Sequence, residues 1–310
     1  MIVVATKLSH NLGFGHFFRG LNIIKNIQGN KKILLLNDSK KLKKYLENIN
    51  YKEVNYSEKN WDSKIINNFK VKIWINDRLS TDLKHIDKLK KNSIFSVTLD
   101  DEGFYANKYD LRVAQNIQLP KKTKNVFKNI KYLALNKAKK SQKFLRKKIF
   151  NIMVSFGGSD TYNLTNKILD RLSRTNFNLT VYIGPGYKNK IKINNQNINI
   201  KKNVKNLENE MSKYDLIICG GGTTPFNAAA QGLPSLIFAC EKHEIITSKY
   251  LQKLGVSKYM GFRKIIINDE HIKKLNLKKM SKKCLKYFRD VNTKNLINLI
   301  KKKYYERKKN

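Results

Sequence analysis

Short apolar runs alternate along the chain with longer amphipathic ones. "IVVAT", "KILLLN", "VKIWIN" and "IFSVTL" read as strands, and "FFRGLNIIKNI", "KKLKKYLENI" and "DLKHIDKLKK" between them read as helices. The strands are apolar throughout instead of at every second position, the mark of a parallel sheet covered on both faces, so residues 1–140 are expected to form a doubly wound α/β domain. A basic, weakly patterned stretch, "NKAKKSQKFLRKKIF", follows as a connecting helix or linker. The alternation then restarts with "NIMVSFGGSD", helical "NLTNKILDRL", strands "NLTVYIG" and "DLIICGGG", a helix from Pro225, strand "SLIFAC" and helix "EIITSKYLQKLG". This predicts a second doubly wound domain over residues 150–275. Residues 276–310 read as a basic helical tail whose Leu, Ile and Tyr positions suit a return across the domain junction.

Length and composition agree with that reading. A chain of 310 residues exceeds the size at which one core stops growing, and its 41% apolar residues are spread along its length. No stretch approaches the roughly 18 uninterrupted apolar residues of a membrane span, and no leader pattern is visible, so a cytoplasmic protein is expected. Cys219, Cys240 and Cys284 have neither disulfide nor zinc-ligand spacing. No metal and no cofactor are expected.

The formal charge of +41 changes the picture less than its size suggests. The chain has 55 Lys against 9 Arg, with abundant Asn and Ile, a trio that shares A/T-rich codons. Dedicated phosphate and base readers favour arginine, whose planar fork pairs bidentately. A solvated, compositionally biased surface is therefore favoured over a specific nucleic-acid site, although any phosphate-bearing ligand would be attracted.

Three loops at strand ends carry candidate chemistry, because ligands of doubly wound sheets bind outside the carboxyl ends of the strands. In "GFGH", Gly13 and Gly15 let the backbone approach a ligand, and His16 and Arg19 follow on the first helical turn. A helix N-terminus suits an anion and disfavours an imidazolium, so His16 is expected to stay neutral and to serve as a general base; a surface or capping histidine is the alternative. In "SFGGSD", Gly157 and Gly158 turn between strand and helix, and Ser159 and Asp160 are placed either at a ligand or as helix caps. "CGGGTTPFNAAAQGLP" is the strongest signal: Gly220, Gly221 and Gly222, the hydroxyls of Thr223 and Thr224, then Pro225 at a first helical position, built like a pyrophosphate cradle. There is no P-loop lysine and no G-x-G-x-x-G spacing. Asp38, after the second strand, keeps a nicotinamide-dinucleotide reading open.

Taken in order, "GFGH" with Arg19, "LDDEG" at 99–103, "SFGGSD" and "GGGTTPFNAAAQGLPS" resemble the PseG/SpsG proteins, which split UDP from a diacetamido sugar on the way to pseudaminic acid. The resemblance spans residues 1–260. It implies the GT-B arrangement also found in MurG-type transferases, two Rossmann-like domains facing each other across a cleft, with UDP held mainly by the second and no metal. The sequence departs from that pattern in places. Lys7 stands where an acid is common, "NDRL" at Asn76–Leu79 replaces an expected tyrosine, Asn227 matches an acid, and His243 with Glu244 matches an Asn-Gln pair.

The resemblance implies a UDP-sugar hydrolase in which His16 activates water for inverting attack at the anomeric carbon. Gly13, Gly15, Arg19, Gly157, Gly158, Ser159, Asp160, Gly221, Gly222, Thr223, Thr224, Asn227, His243 and Glu244 would bind the substrate, and Arg19 and Lys7 are expected either to assist the phosphates or to be solvated cations. Two alternatives stay open, a GT-B glycosyltransferase with a UDP-sugar donor and a non-enzymatic nucleic-acid-binding protein. The sequence does not specify the oligomeric state.

Overall fold

The structure is a computed structural model that describes residues 1–8, 14–115, 125–136, 145–192 and 196–309. The chain divides into two compact units: residues 1–9, 16–134 and 292–310 form the first, and residues 10–15 and 135–291 the second. Gly13 and most of the basic connecting stretch, 137–144, lie outside the described residues.

In the first unit, seven strands form one sheet: β1 (Ile2–Thr6), β2 (Lys32–Leu36), β3 (Tyr51–Glu53), β4 (Ile73–Asp77), β5 (Phe95–Leu99), β6 (Leu111–Val113) and β7 (Val126–Phe127). Their order is β3-β2-β1-β4-β5-β6-β7, and every described pairing is parallel. Val3 lies opposite both Ile33 and Trp74, and all five residues of β4 and of β5 are buried, as apolar strands between two helical layers require. The covering helices include α1 (Gly15–Asn26), α2 (Ser63–Asn68) and α3 (Leu83–Lys91). Gly20 lets α1 lie close on β1: a Cβ there would collide with the Thr6 methyl. That close approach fixes the first turn of α1, and so His16, at the carboxyl end of the sheet.

One expected helix is absent. "KKLKKYLENI" forms only a single 3-10 turn, Lys43–Tyr45. Leu42, Tyr45 and Leu46 are buried, so the spacing that reads as a helical face is satisfied by one turn, and Asn48 then takes a positive φ of 61°. The first unit also forms three short strands that the apolar pattern does not mark, β3, β6 and β7, and the second adds two, at 198–202 and 257–262.

The second unit repeats the architecture. Its strands are β8 (Asn151–Ser155), β9 (Asn178–Ile183), β10 (Ile198–Lys202), β11 (Leu216–Cys219), β12 (Ser235–Ala239) and β13 (Ser257–Phe262), in the order β10-β9-β8-β11-β12-β13, again parallel throughout. Its helices are α4 (Leu164–Leu172), α5 (Leu207–Glu210), α6 (Thr224–Ala230), α7 (Lys242–Leu254), α8 (Asp269–Lys273) and α9 (Leu277–Phe288). Ile152, Val154, Leu169, Val181, Ile218 and Phe238 belong to its core. The buried Arg146 guanidinium donates to the carbonyls of Met211, Tyr214 and Gln231, and burial lowers its pKa to about 10.

The basic tail is two helices. α9 belongs to the second unit, and α10 (Thr293–Lys309) to the first, where Asn22 donates to Thr293 Oγ1 at 2.7 Å and Arg307 to Asp110 at 2.9 Å. Among the described residues no helix is long and apolar enough to cross a membrane.

Candidate active site

The strand ends of the first unit carry a buried charge network. His16, on the first turn of α1, places Nδ1 2.7 Å from Oδ1 of Asp77, the last residue of β4. Asp77 is fully buried, whereas 12% of the His16 side chain stays exposed. A carboxylate can only accept, so Nδ1 carries the proton and the lone pair of the neutral ring is on Nε2. Arg19, one turn further along α1, donates Nε to Asp77 Oδ2 at 2.7 Å, Nη2 to Asp77 Oδ1 at 2.5 Å and Nη1 to Asp100 Oδ2 at 2.7 Å. Burial works against the Asp77 carboxylate, but Arg19 and His16 outweigh it and hold its pKa below the usual value. Burial likewise opposes the Arg19 charge, and Asp77 and Asp100 more than offset it, raising its pKa. The pairing is bidentate and charge-assisted, the strong geometry for a guanidinium and a carboxylate.

The "LDDEG" loop closes the network from the end of β5. Asp100 takes a positive φ of 54° and also accepts the Gln115 amide at 2.6 Å. Asp101 is fully buried, accepts from Thr81 Oγ1 and the Gly103 amide, and has its pKa raised by that burial. Below lies a second buried histidine pair. His85 Nδ1 is 2.5 Å from Asp62, and Asn76 Nδ2 lies 3.1 Å from His85 Nε2. Burial pushes the His85 pKa down, with Asp62 opposing it.

In the second unit, the glycine loop after β11 runs into α6, with Thr223 as N-cap and Pro225 within the first turn. Gly221 is there because space demands it: a Cβ would sit 2.7 Å from both Glu244 Cβ and Ser248 Oγ. Glu244 Oε2 accepts the amides of Gly221 at 3.0 Å and Cys240 at 2.7 Å, and Glu244 forms a capping box with Glu241 at the start of α7. Burial raises the Glu244 pKa. Asn227, on α6, has a buried Oδ1 with no partner among the described residues, an acceptor suited to an incoming hydroxyl.

The loop after β8 has a different character. Asp160, at a positive φ of 43°, accepts the amides of Leu164 at 2.8 Å and Thr165 at 2.9 Å and so caps α4, while burial raises its pKa. Ser159 Oγ lies 3.2 Å from Thr161 Oγ1. Gly157 takes a positive φ of 74°, and Gly158 packs against the ring of Phe14, which groups with this unit.

The structure thus gathers His16 and Arg19 in the first unit, and Gly221, Gly222, Thr223, Thr224, Asn227 and Glu244 around the loop after β11 in the second. Several expected substrate ligands have other placements. Arg19 is 5% exposed and engaged by two carboxylates, so it is neither a solvated cation nor presented to phosphates. Asp160 is a helix cap, and His243 is exposed at the start of α7. Lys7 is exposed beyond β1, and Asp38 accepts the Lys40 amide in a turn. Asp77 is a member of this network that sequence reasoning missed: it lies 61 positions from His16 at the end of an apolar run, and no local motif marks it.

No protein-family profile matches the chain. An uncharacterized protein of Methanocaldococcus jannaschii is 29% identical to it, the match covering 82% of this chain and 59% of that protein. The chain therefore spans about three-fifths of this relative's length. Among solved structures, MurG of Acinetobacter baumannii is similar with a TM-score of 0.67 at 14% identity, covering 97% of this chain and 99% of the other. The spinosyn rhamnosyltransferase SpnG gives a TM-score of 0.68 at 10% identity, covering 97% and 100%. The glycosyltransferase SnogD from Streptomyces nogalater gives 0.65 at 11%, covering 97% and 98%. The fold is the α/β GT-B fold of these glycosyltransferases.

Proposed function

We propose that the chain is an enzyme acting on a nucleotide sugar, in which the second unit binds the nucleotide and the first supplies the catalytic base, His16. The His16–Asp77 pair carries this reading. Asp77 fixes the Nδ1–H tautomer, turns the ring so that Nε2 is the basic atom, and stabilises the imidazolium formed when Nε2 takes a proton. Such a base is suited to an O–H nucleophile. Water gives its proton to Nε2 as its oxygen bonds to the anomeric carbon; the bond from that carbon to the diphosphate oxygen breaks with inversion, and UDP leaves as a stable anion. The products are UDP, the free sugar and a proton, released from His16 to solvent. No separate acid is needed, and general-base help is worth roughly a hundred- to ten-thousand-fold. The glycine loop, with amides at the start of α6, suits the diphosphate, and the unpaired Asn227 Oδ1 suits a ribose hydroxyl.

The ordered motifs that resemble PseG/SpsG favour water as the nucleophile and a UDP-linked diacetamido sugar as the substrate. The likeness to solved glycosyltransferases favours a second reading, in which an acceptor hydroxyl replaces water at the same base. Chromatography of UDP and sugar products from a panel of UDP- and CMP-sugars separates them. Release of UDP in buffer alone supports hydrolysis. Release only after an acceptor is added supports transfer, and no release under either condition refutes both.

A further inference from the structure

Arg19 and Arg78 present the same edge to different fates. The side-on fork of Arg19, formed by Nε and Nη2, grips both oxygens of Asp77. Arg78 follows Asp77 at the same strand end and is 6% exposed, yet its Nε and Nη2 are buried with no hydrogen-bond partner among the described residues. Its guanidinium carbon lies 4.7 Å from the centre of the Tyr56 ring and 4.9 Å from that of Trp61. Trp61 stacks in turn on the buried His85, which fixes the platform. The acidic groups at these strand ends are already engaged, Asp77 by His16 and Arg19, Asp101 by Thr81 and Gly103. Cation–π contact offsets part of the cost of burying a guanidinium and leaves two parallel N–H donors unsatisfied. Their spacing matches two oxygens of a carboxylate or a phosphate.

We propose that Arg78 anchors an oxyanion, carboxylate or phosphate, carried by the ligand of the first unit, and so makes the enzyme selective for an acidic sugar or a phosphorylated acceptor. The oxyanion site stands on Arg78 and its platform alone; assigning it to a sugar or acceptor rests on the nucleotide-sugar enzyme proposed above, with an acidic sugar in place of the neutral diacetamido sugar or a phosphorylated acceptor in place of water.

The test is to label the full chain with 15N-arginine, assign the Arg78 Nε–Hε resonance by its loss in Arg78→Lys, and titrate the wild type with sodium phosphate and with sodium acetate, using sodium chloride at matched ionic strength as control. A saturable shift of the Arg78 signal with either anion, with chloride silent, is expected; the more effective anion identifies the source. No saturable shift of any arginine Nε–Hε signal with either anion overturns the proposal, and that result needs neither the assignment nor a variant that folds. In turnover, UDP-glucuronate is expected to exceed UDP-glucose at least tenfold in kcat/KM if the group is a carboxylate on the donor. If it is a phosphate on the acceptor, glucose 6-phosphate is expected to exceed glucose by the same margin. Arg78→Gln is expected to erase either preference while leaving UDP affinity unchanged. A responsive Arg78 in a protein that does not bind UDP would sink the proposed function and spare the site; UDP binding with a silent Arg78 would do the reverse.

Discussion

Asp77 Oδ1 lies 2.7 Å from His16 Nδ1, and the same carboxylate holds Arg19 through two donors, so one buried acid orients the candidate base and neutralises the cation beside it. Removing it affects both roles. Asp77→Asn is expected to lower kcat by roughly a hundred- to ten-thousand-fold, because an amide neither fixes the Nδ1–H tautomer nor stabilises an imidazolium. UDP affinity, measured by calorimetry, is expected to stay within about twofold of wild type. A parallel loss of affinity would mean that Asp77 serves binding.

Stability and pH provide an independent check on the same residue. Burial alone would raise the Asp77 carboxyl, and Arg19 and His16 reverse that and depress it. A carboxyl with a folded pKa below its unfolded value of about 3.9 adds stability that is fully present above that value and is lost as the pH falls through the folded one. The stability difference between wild type and Asp77→Asn, from denaturant melts, is therefore expected to be largest at neutral pH and to shrink below about pH 4. Asp160 has the opposite sign: burial raises its pKa, so wild type is expected to gain on Asp160→Asn as the pH falls from neutral through the folded pKa. A pH-independent difference in either pair would contradict the assigned environments.

The glycine loop yields a steric prediction. In Gly221→Ala the new methyl group meets Glu244 Cβ and Ser248 Oγ at 2.7 Å, and backbone must move to relieve it. Overpacking of this kind costs about 1–3 kcal/mol, seen as a lower melting temperature. UDP affinity is expected to fall at least tenfold. Retained affinity would show that this loop does not hold the diphosphate.

Asn227 separates nucleoside from phosphate recognition. If its unpaired Oδ1 accepts from a ribose hydroxyl, Asn227→Ala is expected to weaken UDP binding by about 0.5–1.5 kcal/mol and to leave pyrophosphate binding unchanged. Calorimetry with both ligands checks this, and equal losses for the two would place Asn227 at the phosphates.

The sequence displayed what depends on short-range pattern. Continuous apolar runs marked β1, β2, β4 and β5, and glycines at strand exits marked the loops around His16 and Gly221, because both signals lie within a few consecutive residues. Asp77 was hidden, since at the end of "VKIWIND" nothing local shows that its side chain turns toward α1. Arg19 looked like a phosphate ligand for the same reason: its partners, Asp77 and Asp100, are brought to it by β4 and β5. Edge strands of two or three residues, such as β3 and β7, are too short to show a period. The run around Lys43–Tyr45 has helical spacing but needs only one turn to bury Leu42, Tyr45 and Leu46.

The most direct measurement is single-turnover release of UDP from a UDP-sugar by wild type and His16→Asn at matched occupancy. The His16 assignment requires a rate lower by roughly a hundred- to ten-thousand-fold in the variant, with the dissociation constant for UDP unchanged. Equal rates in the two proteins would contradict it.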